Sequence, residues 1–179
     1  MILVRETNIG KYISRVKGRF FTVLTPIVKE MQIRQAPSPV KTILDLSVTF
    51  KDGSTLTTAQ TLAKSKDRVE LLSYGYEYER LSGFFFHCEM EEATESSHET
   101  ELEARLRKPR YHLHVGARKE IVDLLKGFPP ELREHDGPHY ATRFIPLDYV
   151  LAVILINYFP EHKAKIKELD IADFANSEG

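Results

Sequence analysis

The sequence predicts an α+β domain: an antiparallel sheet flanked by helices. An apolar stripe at three- and four-residue spacing opens the chain, period-two alternation replaces it from Thr42 onward, and a 13-residue apolar stretch bounded by prolines follows late in the chain. The 179 residues match the size of one domain. Hydrophobic residues make up 42%, and 26 acids against 25 basic residues leave a net charge of −1. This mixture excludes a disordered chain, a collagen, a coiled coil and a disulfide scaffold. With so little net charge, any attraction to nucleic acid must come from local patches.

Thr7 or Asn8 caps a first helix expected to run to about Met31. Ile9, Ile13, Val16, Phe20, Val23, Leu24, Ile27 and Met31 form its apolar stripe, with Gly18 and Pro26 as points where it bends or ends. Residues 1–41 hold eight basic residues against Glu6 and Glu30, so its exposed face is basic. Ala36-Pro37-Ser38-Pro39 reads as a stiff linker.

Leu44, Leu46, Val48 and Phe50 alternate with polar residues as in a half-buried strand. Asp52-Gly53 suits a type I′ hairpin turn, with the returning strand at Ser54 to Leu62. A third strand, Arg68 to Arg80, places Tyr74, Tyr76 and Tyr78 on one face. Ser82-Gly83 turns into a fourth strand, Phe84 to Met90. Residues 89–103 carry seven glutamates and no basic residue, and read as a solvated loop or fraying helix start. Arg105, Arg107, Lys108 and Arg110 then lead into a fifth strand, Arg110 to Val115.

A short helix is expected at Glu120 to Lys126, and an irregular loop over residues 127–141. Segments 91–108 and 117–141 are thus insertions in a five-stranded meander spanning 42–145. Ala141 to Ile145 reads as an edge strand. Pro146 opens a helix from Leu147 to Tyr158, Pro160 stops it, and residues 161–179 form a weak helix and loose end. The first helix and the Leu147–Phe159 stretch cover the apolar face of the sheet. That stretch is too short for a bilayer, and no signal-like run opens the chain. Cys88 is the only cysteine, so no intrachain disulfide forms, and a reducing cytoplasm is expected.

His112-Leu113-His114 is the strongest chemical motif. On a strand the two imidazoles share one face, opposite Tyr111, Leu113 and Val115. Such a pair serves as general base and acid, or as metal ligands. With the neighbouring cations and Arg143, it suits metal-free and cofactor-free cleavage of RNA: His112 and His114 exchange protons and Arg143 stabilises the charged transition state. Arg105, Arg107, Lys108 and Arg110 then hold the nucleic acid, and Tyr76 stacks on a base. Against this, tyrosines at strand spacing are more often core. A competing metal reading joins the pair to His87 or Glu89 of the neighbouring strand. Surface histidines are the better reading for His98, His135 and His162. His139, just before Arg143, is a partial exception.

The segments "LDLSVTFKDGS", "YGYEYER", "FFFHCEM" and "YHLHVG" resemble those of the TumE-type toxin–antitoxin family over about residues 42–160. The stretch "RFIPLDYVLAVILINYFP" is similar to the ending of related His-x-His-x-Gly proteins. The resemblance carries His112, His114, Gly116 and Arg143 into the site. It implies a cytoplasmic toxin paired with a helix-turn-helix antitoxin, and together with the histidine and arginine chemistry it makes a toxin acting on RNA the leading expectation. The residues also allow a non-catalytic module that clasps an acidic protein or nucleic acid through the basic first helix and residues 105–119, or a metal-dependent hydrolase. Oligomers are compatible with all three.

Overall fold

The Asn8 side chain accepts a 2.8 Å hydrogen bond from the Lys11 amide and so starts α1, Ile9–Leu24. Its stripe of Tyr12, Ile13, Val16, Phe20, Val23 and Leu24 is buried. The helix stops at Leu24, one turn or more before the expected end. Pro26 lacks an amide hydrogen, and residues from Val28 onward find partners on a neighbouring strand instead. The computed structural model describes residues 2–4, 7–38, 40–66, 68–91, 100–118 and 139–171. The expected helix at 120–126 and most of the 127–141 loop, with His98 and His135, lie outside them. So do most of the glutamate-rich loop and the final residues of the tail.

Among the described residues eight strands make the sheet where five were expected. They are β1 (Ile2–Val4), β2 (Val28–Pro37), β3 (Lys41–Phe50), β4 (Thr55–Ser65), β5 (Arg68–Glu79), β6 (Phe84–Met90), β7 (Tyr111–Ala117) and β8 (Tyr140–Ala141). β2 to β8 pair in sequence order, all antiparallel. β1 pairs with Val69–Leu71 of β5, beyond the reach of β6. The expected linker is the β2–β3 hairpin turn, closed by the Ser38 amide on the Lys41 carbonyl. The β3–β4 loop is wider than a type I′ turn. Gly53 alone has positive φ there, at 84°, and the Asp52 carboxylate caps the Ser54 amide.

The core lies on the sheet face carrying Leu44, Leu46, Val48, Phe50, Leu56, Leu62 and the three tyrosines. α1 and α3 (Leu147–Tyr158) cover it. Tyr12 bonds Gln60 of β4, Tyr158 stacks on Tyr78, and Phe159 meets Phe50. α3 has apolar residues all round, and Val150, Leu151, Ile154 and Leu155 are almost fully buried, each contributing about 1.5–3 kcal/mol by leaving water. β5 serves the core along its whole length only because of a bulge at Leu72, where the register steps from Ser73 to Leu71 against β4. Odd-numbered Val69 and Leu71 and even-numbered Tyr74, Tyr76 and Tyr78 therefore all point inward. The expected weak helix after Pro160 is a 3-10 segment, Pro160–Glu168. Arg19 ties α1 to Asp148 of α3 and to Asp170 beyond that segment. Among the described residues, no helix is long and apolar enough to cross a membrane.

Candidate functional site

The second face of the sheet is polar, and its register sets out two rows that cross nearly the whole sheet. One runs Gln32, Ser47, Thr57, Glu77, His87, His114 from β2 to β7. The other runs Arg34, Asp45, Ala59, Gly75, Glu89, His112, Ala141 from β2 to β8. Neutral and oppositely charged groups occupy the β2 end, and imidazoles with carboxylates collect at β6–β8. Between them lies a trough of about 720 Å³ with Ser47, Thr57, Thr61 and Ser73 on its floor and His87, Glu89 and Glu91 at its far end. Gly75 makes room for that end: a Cβ there would stand 3.2 Å from His87 Nε2.

The two imidazoles of His112-Leu113-His114 do share a face, with ring centres 5.1 Å apart. They are not in an open hollow. His112 is 0% exposed and His114 1%. A base or acid acting directly on a polymer must reach the reacting atoms, so this burial removes the geometric support for His112 and His114 as proton carriers on RNA. A third ring completes the group. Continuing the β7–β8 register by one residue brings His139 opposite His114, and its ring centre lies 4.4 Å from that of His114 and 4.9 Å from that of His112. One ligand atom from each of the three histidines lies within 4.8 Å of the others.

Two details orient the cluster. The turn after α2 (Glu101–Arg107) brings the Pro109 carbonyl 2.6 Å from His112 Nδ1. A carbonyl only accepts, so Nδ1 carries the hydrogen and Nε2 turns to Glu89, 2.8 Å from Oε2. A proton or another cation must lie between Nε2 and that carboxylate. A backbone carbonyl on one ring nitrogen, leaving the other aimed inward, is how proteins fix a metal-ligating imidazole. Glu89 also reaches His114 Nε2 at 3.9 Å and His87 Nε2 at 3.1 Å, and His87 Nδ1 faces Glu77 at 3.7 Å. The chain Glu77–His87–Glu89 thus links the buried rings to the trough.

The other expected site residues fall elsewhere. Tyr76 is 1% exposed, with its hydroxyl accepting from Gln60 and its ring stacked on Tyr74, so it is a core residue and cannot stack on a base. Lys108 reaches the site's rim by pairing with Glu91. Arg107 and Arg110 are exposed, and Arg110 lies over the Tyr111 ring. The Arg105 side chain lies outside the described residues. Arg143 is exposed two residues past β8. The acids Asp45, Glu77, Glu89 and Glu91 outnumber Arg34 along the trough, so it is not the cationic hollow expected from the basic run.

No protein-family model, curated protein or solved structure matches this chain. The residues themselves carry the functional argument. Spacing placed the histidine pair, and the His87 and Glu89 partners, on neighbouring strands. The role of His139 depends on β8 folding back beside β7, a pairing that no local pattern encodes.

Proposed function

We propose that the protein is a metal-dependent hydrolase whose ion is held by His112, His114 and His139. The observation that carries this reading is the meeting of three imidazole ligand atoms within 4.8 Å, beside a carboxylate oxygen 2.8 Å from His112 Nε2. Three imidazoles with one position left open suit a zinc-type ion. Such an ion, when bound, supplies an acidified water and polarises the scissile group.

The chain's own residues divide the remaining work. The Pro109 carbonyl keeps the His112 lone pair inward. Glu89 borders the ligand cluster on one side and His87 on the other, placed to take the proton of an attacking water. His87 lines the trough and can return that proton to a leaving group, with Glu77 behind its other nitrogen. An acid-rich trough repels a polyanion, which favours a neutral or cationic substrate over RNA. The histidines beside the basic run 105–110 keep RNA as a separate arm of the assay, and the TumE-type resemblance makes a helix-turn-helix antitoxin the partner to look for.

The test is elemental analysis of the purified chain after reconstitution with zinc, cobalt, manganese or iron, followed by turnover of activated esters, phosphodiesters and RNA. About one equivalent of ion is expected, lost in His114→Ala. His87→Ala is expected to keep the ion while losing about 100-fold or more in turnover. A chain that takes up none of these ions overturns the reading.

A further inference from the structure

β2 is a ten-residue strand at the end of the sheet, and among the described residues nothing pairs with its outer edge. Long open edges invite another strand, and proteins that keep them unpaired usually blunt them. Here the backbone irregularities that blunt an edge sit at the two ends only, and the charges between them, Glu30 and Arg34, are of opposite sign. A bulge at Lys29 disturbs the start, where the register steps from Val28 to Glu30, and Pro37 closes the finish. Residues 30–36 between them are regular.

That window is complementary to itself. In antiparallel pairing about a two-fold axis through Gln32, Glu30 faces Arg34 of the second copy and Arg34 faces its Glu30. Met31 faces Ile33, and Gln32 faces Gln32. Glu30, Gln32 and Arg34 are exposed on the trough face, already joined along the strand by hydrogen bonds of 3.0 and 3.3 Å. Met31 and Ile33 lie half-buried at the margin of the core. Polar therefore meets polar on one face and apolar meets apolar on the other. Shifting the register by two residues sets Glu30 against Gln32 or Ala36 and loses both ion pairs.

We propose that β2 is a dimerisation edge, and that its occupant is β2 of a second copy in the register centred on Gln32. The two sheets become one, with both troughs on the same side. Gln32 and Arg34, which line the β2 end of each trough, then stand at the junction, so the two troughs merge into a single channel with an imidazole cluster at each end. The pairing does not depend on the metal reading, and either can fail alone.

The test is sedimentation and light scattering on the full chain with exposed-residue variants, far-ultraviolet circular dichroism confirming that each is folded. Wild type is expected to be a dimer. Glu30→Arg and Arg34→Glu each put like charges across both symmetric pairs and are expected to weaken association about tenfold or more, while the double variant restores it. Gln32→Cys is expected to cross-link to its copy under mild oxidation. Gln35→Cys is not, because its copy lies about six residues, or 20 Å, further along the strand. A monomeric wild type overturns the proposal and leaves the edge for a strand of some other protein. A dimer indifferent to both charge reversals, or cross-linked equally through residue 35, overturns the register.

Discussion

Reloading the stripped protein with zinc is expected to raise its thermal midpoint. The ligands come from β7 and from the residue just before β8, and they converge only in the folded chain. An ion that binds the native state alone stabilises it by mass action. At free metal one hundredfold above the dissociation constant the gain is about 2.7 kcal/mol. A domain of this length gains about 2–4 °C per kcal/mol, so the midpoint is expected to rise by about 5–11 °C. The local His112-x-His114 pair can bind zinc weakly in the unfolded chain, which pulls the shift toward the lower figure. The assay is differential scanning calorimetry with chelator and with zinc, run in parallel on wild type, His114→Ala and His139→Ala. Each variant is compared with its own chelated state, because removing a buried ring also changes baseline stability. The shift is expected to vanish in His114→Ala and to shrink in His139→Ala. A wild-type midpoint that ignores zinc, or an equal shift in all three proteins, refutes the reasoning.

Tyr76→Phe is expected to cost about 1–3 kcal/mol in urea unfolding, because the buried Gln60 amide loses the hydroxyl it donates to, 2.7 Å away. The same change is expected to leave turnover unaltered, and a selective loss of turnover in a fully stable variant would contradict its place in the core. Burial pushes the Cys88 thiol up to about 12, so an aromatic disulfide reagent at pH 8 is expected to label it only after denaturation. Prompt labelling of the native protein would count against that burial. Burial likewise holds the Tyr78 hydroxyl at about 12 and raises Tyr74 and Tyr76. The unfolded chain releases these protons near 10 and the native chain retains them. Their contribution is therefore complete below about pH 10 and is lost as pH rises toward 12. Urea unfolding across that range is expected to show falling stability, and a flat profile would contradict the buried placement.

The alternating segments at β3 to β7 were legible to within three residues at each end, because one face of each is buried and the other is polar. α3 was legible because prolines bracket an apolar run. The first helix was over-read for a physical reason: Ile27 and Met31 continue its stripe by spacing, yet Met31 and Ile33 belong to a strand with one margin on the core. β2 itself carries too many polar residues to show a clear period, as an edge strand does. β1 is too short to leave any pattern, and the edge strand expected at Ala141 to Ile145 is reduced to the two residues Tyr140–Ala141 of β8, because Pro146 and the start of α3 take up the chain that follows. At the site, period two placed His112 and His114 on one face and put His87 and Glu89 beside them. It could not show that this face is covered, because the cover comes from the turn at Pro109 and from His139, brought in by chain folding rather than by neighbouring residues.

The bulge at Leu72 has a consequence for the chain's tolerance of length changes. β5 is two half-strands of opposite phase joined by one extra residue. Deleting Leu72 would shorten the strand by a single position and turn one half inside out. Either the tyrosine triad would swap places with Gly75 and Glu77, or Val69 and Leu71 would be expelled into water. A residue that is itself 39% exposed therefore keeps the two halves in step, and at this point the count of residues matters more than their identity.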